Sequence, residues 1–160
     1  MIAGFTGCGY RLLGSGGRLP GGLASVRVGD VICGSSDSTI GIRFTDALVA
    51  GIIRYPGLSM PDSDTDAAGE LRGRVRTGTV ETVSRNRGGG RVKQQVRIVT
   101  DVRLYGTDGC VLWSGEGLTE TAVYVAEGAG AATDADRDAA MTDAMNRLVR
   151  RILSGMTADF

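Results

Sequence analysis

Histidine is absent from the 160-residue chain. Its absence removes the usual general base near neutral pH and the commonest metal ligand, so Ser-His, Cys-His and His-metal chemistries are excluded. Cysteine is scarce as well. Cys8, Cys33 and Cys110 stand far apart with no CxxC, and so lack the local spacing of a zinc site or a redox pair. Cys33 and Cys110 fit either a disulfide in an oxidising compartment or two small buried hydrophobes, the second being the commoner arrangement. No stretch approaches the roughly 20 consecutive apolar positions of a membrane-spanning helix. Net charge is missing too, at +0, which argues against wholesale nucleic-acid binding. No metal and no cofactor is expected.

What remains is 42% hydrophobic and 22% charged, a balance that suits one domain with its own core. The charges are unevenly placed. Arg72, Arg74, Arg76, Arg85, Arg87, Arg91, Lys93, Arg97 and Arg103 face only Glu81 and Asp101 in the same segment, so half of the 18 basic residues fall within it.

The chain opens with Phe5-Thr6-Gly7-Cys8-Gly9-Tyr10, small residues before a cysteine and a glycine after it. This looks like the end of a lipobox, which implies an acyl anchor on Cys8. The residues ahead of Cys8 supply no basic n-region and no apolar h-region. The expectation for 1–22 is therefore a truncated export signal and lipobox followed by a flexible tether, with a single α+β domain over 23–160. The run Gly14-Ser15-Gly16-Gly17 to Pro20-Gly21-Gly22 has the composition of such a tether. It matches neither GxGxxG after a strand nor GxxxxGK[ST], so it is not a phosphate loop.

Alternation of apolar and polar residues predicts a first strand from Leu23 to Ile32. Phe44, Ala47, Leu48, Gly51 and Ile52 recur at helical spacing, predicting a helix from Thr39 to Arg54 that Pro56-Gly57 ends. Leu71, Gly73 and Val75 alternate with Arg72, Arg74 and Arg76 in a second strand. In a third, Val92, Val96, Ile98, Val102 and Leu104 share one parity and the charged residues share the other, with Val99 out of place. Arg85-Asn86-Arg87-Gly88-Gly89-Gly90 and Thr107-Asp108-Gly109 mark hairpin turns. A fourth strand runs from Val111 to Val125 with an interruption at Ser114–Gly117. Thr133 and Asp136 imitate a capping box ahead of a helix over Asp134–Met156, whose Met141, Met145 and Met156 belong to the core. This order predicts an α+β two-layer sandwich: a four-stranded, mostly antiparallel mixed sheet with two helices on one face.

Several local features then fall in a recognisable order. They are Gly7-Cys8-Gly9-Tyr10-Arg11-Leu12, Leu19-Pro20, Leu71-x-Gly73, Val96 to Leu104, Asp108-Gly109-x-Val111-Leu112-Trp113, and a last helix ending Leu153-Ser154-Gly155-Met156-Thr157-Ala158-Asp159-Phe160. Together they resemble the LPS-assembly lipoprotein family, LptE-like, across nearly the whole chain. The sequence departs from that family at Gln94, where relatives carry an aromatic, and in 127–132, which offers no basic residue. The resemblance implies a non-enzymatic lipoprotein anchored to the periplasmic face of the outer membrane. Its partner would be an LptD-like LPS-assembly barrel, which it plugs, with some affinity for lipopolysaccharide. Arg85, Arg87, Arg91 and Lys93 flank the glycine tip, and Arg87 falls where the family's lipid-binding residue would. Guanidinium forks suit lipid A phosphates.

An alternating charged face is also what a solvated sheet looks like. That reading is favoured for Arg72, Arg74, Arg76, Arg97 and Arg103, while the tip stands open between the two. Trp113 reads as a packing residue, and Tyr10, Leu12 and Tyr124 as exposed candidates for a partner interface. Other functions are compatible with the same residues. One is a different lipid-anchored module serving envelope assembly or a cell-wall enzyme. An RNA-binding sheet would stack bases on exposed aromatics, which strands two and three lack on their polar face. Enzymatic work by Asp62, Asp64 and Asp66 or by Asp134, Asp136 and Asp138 is the poorest fit, since loops and helix starts explain acidic residues there.

Overall fold

In the computed structural model, residues 19–35, 37–63, 66–85, 91–127 and 131–158 are described. A turn of 3-10 helix at Pro20–Gly22 leads into strand β1, Val26–Cys33. Helix α1 follows over Thr39–Arg54, then strands β2, Gly69–Arg85, β3, Arg91–Gly106, and β4, Val111–Glu127, and finally helix α2, Ala131–Ala158. The sheet order is β1-β2-β3-β4, with β1 parallel to β2 and the rest an antiparallel meander. Both helices cover one face, giving the two-layer α+β sandwich expected.

The core follows from two periodicities. Ile40, Phe44, Leu48 and Ile52 recur every fourth residue on α1 and are buried, as are Ala144, Met145, Leu148, Ile152 and Met156 on α2. They meet Leu71 and Val75 of β2, Val96, Ile98, Val102 and Leu104 of β3, and Ala122, Tyr124 and Ala126 of β4. Each strand turns alternate residues to this face. The helices run parallel to each other: Arg43 meets Asp138 at one end and the Tyr55 hydroxyl lies 2.8 Å from Thr157 Oγ1 at the other.

Asp37 Oδ1 accepts the Thr39 amide at 3.0 Å at the start of α1. Tyr55, extended ahead of Pro56, stops the helix as a residue before proline tends to. The β3–β4 turn closes by Gly106 N–H to the Cys110 carbonyl at 2.9 Å, with Gly109 at φ +77° where glycine is preferred.

Several expectations need correction. The second strand runs on from its Arg72–Arg76 alternation to Arg85, where the turn signal begins, but its alternation is not continuous. β2 carries bulges between Val75 and Thr77 and between Thr82 and Ser84, which break the period-two pattern. α2 begins at Ala131, so Thr133 and Asp136 lie inside it rather than capping it; Ala131 and Ala132 favour helix strongly enough to extend the element. Tyr124 is 8% exposed, not a surface residue. It shares a face with Ala122 and Ala126, whose small side chains leave it room, and its hydroxyl donates to Gln94 Oε1 at 2.5 Å. Cys33 and Cys110 are both free thiols, and Cys110 is exposed rather than buried because it closes the β3–β4 turn. Tyr10 and Leu12 lie outside the described residues.

Candidate functional site

The face of the sheet away from the helices carries the basic strands. Its arginines are largely committed to carboxylates. Glu70 accepts from Arg72 Nη2 at 2.8 Å and meets Arg27 Nη2 at 2.9 Å. The Arg72 hydrogen bond, with the nearby Arg27 charge, holds the Glu70 carboxyl below its ordinary value despite partial burial. The Arg72 guanidinium also lies over the Tyr105 ring, 5.1 Å from its centroid, a cation–π geometry; Tyr105 is thus an aromatic on the polar face of β3, where the sequence pattern led none to be expected. Arg76 Nε donates to Asp101 Oδ2 at 2.5 Å, Arg103 Nη2 to Glu116 Oε1 at 2.9 Å, and Arg97 Nε lies 3.6 Å from Glu81 Oε1. Each of these guanidiniums already has its charge matched by a carboxylate, which weakens its pull on a phosphate. Of Arg72, Arg74, Arg76, Arg97 and Arg103, only Arg74 has no ion pair among the described residues. The pairing bears out the solvated-face reading for Arg72, Arg76, Arg97 and Arg103.

The hairpin tip differs. β2 residues Thr79 through Ser84 are exposed without interruption, so this end of β2 extends beyond the cover of the helices, while Tyr124 and Ala126 of β4 stay buried. Register places Arg85 opposite Val92 and Ser84 opposite Lys93, while Arg91 opens β3. Backbone pairing therefore brings Arg85, Arg91 and Lys93 to the same end of the sheet. Lys93 is exposed and makes no ion pair among the described residues. Arg87, the fourth tip residue, lies outside the described residues, as does Cys8.

A recess of about 300 Å³ opens where β2 leaves the helices, between Ile40, Arg43, Val80, Asp138 and Met141. Arg43 bridges it, donating Nη1 to Asp138 Oδ1 at 3.2 Å and Nη2 to Oδ2 at 3.3 Å. That hydrogen bond, chiefly, lowers the Asp138 carboxyl, and the Arg137 charge adds to it. Opposite charges are neutralised within the recess, which leaves it little pull on a charged ligand. Trp113 packs partly buried against the core, next to Gly115 and Gly155.

Sequence reasoning missed a second feature, the cleft between α1 and α2 that Arg54 and Arg150 border. A signal for it was present. Neither arginine has an acidic residue three or four positions away on its helix, where a partner would normally sit.

The fold and these surfaces define an α+β domain built on a meander, with a basic tip. No family model matches the chain, and no curated protein matches it by sequence. Solved structures do match. Uncharacterized lipoprotein B from Nitrosomonas europaea is 17% identical with a TM-score of 0.54, covering 94% of this chain and 91% of that one. A candidate lipoprotein from Caulobacter crescentus is 17% identical with a TM-score of 0.50 over 80% of this chain and 88% of that one. A hypothetical protein from Chlamydia trachomatis reaches a TM-score of 0.57 at 9% identity, over 86% and 99%. At such identities the likeness shows a shared fold. Two of these three proteins are described as lipoproteins and none as an LPS-assembly protein.

Proposed function

We propose that this chain is a lipid-anchored lipoprotein of the bacterial envelope that works by binding partners rather than by catalysis. The observation that carries the reading is the fold shared with the Nitrosomonas lipoprotein over nearly the full length of both chains. The small-residue setting of Cys8 supports it independently, since it supplies the acceptor for an acyl anchor. Among the described residues no helix is long and apolar enough to cross a membrane.

Within that class, the motif order supports an LPS-assembly role at the periplasmic face of the outer membrane. The chain would seat against an LptD-like barrel, with the projecting tip of Arg85, Arg87, Arg91 and Lys93 turned to lipopolysaccharide phosphates. The projection of β2 beyond the helices favours this use of the tip. A second reading, a lipid-anchored module for another envelope machine or a cell-wall enzyme, draws on the paired arginine face. Glu70, Glu81, Asp101 and Glu116 neutralise most of the basic strands, which leaves the outer face of the sheet little free charge for a phosphate.

Affinity purification of the full-length protein from its own envelope in detergent separates the readings. Recovery of a large outer-membrane barrel in near-equal amount is the expected result. Recovery of a cell-wall enzyme, or of no envelope partner, would overturn the assembly reading.

A further inference from the structure

We propose that the cleft between the C-terminal halves of α1 and α2 binds an anionic lipid. Its acyl chain would lie on the apolar floor and its phosphate or carboxylate on Arg54 and Arg150. The site is distinct from the tip and independent of any LPS-assembly role.

Gly51 brings the two helices together: a Cβ there would stand 2.3 Å from Val149 Cγ1 and 3.2 Å from Leu153 Cδ1. Beside this contact opens a cleft of about 600 Å³, within the range of roughly 300–1,000 Å³ that small-molecule sites occupy. Ala47, Gly51, Val149 and Leu153 make its floor, and no carboxylate lines it.

The cationic border is what singles the cleft out. Elsewhere on α2 the arginines have acids beside them, Arg137 with Asp134 and Arg147 with Asp143. Arg151 is engaged as well, with Nη1 3.3 Å from the Thr119 carbonyl and 3.6 Å from Glu120 Oε1. Arg54 gives only its Nε, to the Ala50 carbonyl at 3.0 Å, and neither Arg54 nor Arg150 forms an ion pair among the described residues. Helix-dipole compensation accounts for Arg54 in the last turn of α1, but Arg150 lies two turns inside the end of α2 at Ala158. Two uncommitted guanidiniums over an apolar trough match a molecule with one anionic end and one hydrocarbon end. An acidic peptide would leave the floor unused, and a neutral hydrocarbon would leave the arginines unused.

Calorimetric titration of the full chain with oleate, lysophosphatidate and mono-oleoylglycerol, each below its micellar concentration, tests this. Binding of an anionic probe is expected, with mono-oleoylglycerol weaker by about tenfold or more, the scale of a lost charged hydrogen bond. Preference for oleate would identify a fatty-acid site, and preference for lysophosphatidate a phospholipid site. The Arg54→Ala/Arg150→Ala variant should lose about tenfold for the anionic probes while keeping its circular dichroism. Ser154→Trp, at an exposed position on the cleft wall, should block binding without entering the core. The proposal is overturned if no probe binds, if mono-oleoylglycerol binds as well as the anions, or if the folded double-arginine variant binds unchanged.

Discussion

Asp101 joins both neighbours of its strand with one carboxylate: Oδ1 accepts the Gly117 amide at 2.8 Å, and Oδ2 accepts from Arg76 Nε at 2.5 Å. Each partner lies in an irregularity. Arg76 is the extra residue where β2 shifts register, and Gly117, at φ +61°, lies in the shift of β4 between Gly115 and Leu118. A single side chain on β3 thus pins two bulges, which set the local bend of the sheet.

Partial burial pushes the Asp101 carboxyl up, but the Arg76 hydrogen bond, the Gly117 amide and the charges of Arg76 and Arg103 outweigh it and leave it lowered. A carboxyl lowered by folding stabilises the protein above its unfolded pKa, about 3.9. That stability is lost as pH falls through the folded value. Asp101→Asn should therefore lose about 1–2 kcal/mol at pH 7, the scale of a charged hydrogen bond on a partly exposed face. The gap between variant and wild type should close below about pH 4. Urea unfolding at pH 7 and at pH 3 measures both, and an equal gap at the two pH values would refute the assignment.

Two glycines should respond differently to the same change. An added Cβ meets Val149 Cγ1 at 2.3 Å at Gly51, but the far end of a flexible side chain, Ile40 Cδ1 at 2.4 Å, at Gly78. A β-branched valine on a helix has little rotamer freedom. Gly51→Ala should destabilise by about 1–3 kcal/mol through overpacking, offset by up to about 1 kcal/mol of helix propensity. Gly78→Ala should be near neutral. Thermal unfolding of both variants decides, and equal effects would mean that the helices can separate freely.

Thr100 is fully buried on β3 and its hydroxyl has no hydrogen-bond partner among the described residues. A buried unpaired hydroxyl opposes folding, and valine has nearly its shape. Thr100→Val is predicted to be neutral or to stabilise by about 1 kcal/mol. A loss of more than about 1 kcal/mol would show that the hydroxyl is used.

At the tip, reversing Arg85, Arg87, Arg91 and Lys93 to glutamate should leave the unfolding midpoint nearly unchanged. Exposed charges away from packed groups usually alter stability by about 0.5 kcal/mol or less. The same variant should lose retention on immobilised lipopolysaccharide, more sharply at low salt than at high salt. Full retention would exclude the tip as the phosphate contact.

Much of the fold was legible because burial imposes periodicity. Phe44, Leu48 and Ile52 placed α1 at its observed bounds, Thr39–Arg54, and the methionine stripe of α2 did turn inward. Alternation also placed Val99 correctly on the outer face, opposite Thr77 and Thr119. What escaped detection depended on partners distant in the chain. A bulge at Arg76 leaves no mark until Asp101 is seen across from it, and the pairing of arginines with Glu70 and Glu116 needs strand register. Tyr124 could have been read as buried from its flanking Ala122 and Ala126. The helix cleft joins residues nearly a hundred positions apart, and only the lack of local acids hinted at it.

A lipid anchor at Cys8 is read most plainly from the mass of the protein recovered from the membrane fraction of its own cells. A mature chain beginning at Cys8 and carrying acyl groups is expected, with Cys8→Ala shifting the protein out of that fraction. An unmodified Cys8 in a chain that fractionates away from membranes would contradict it.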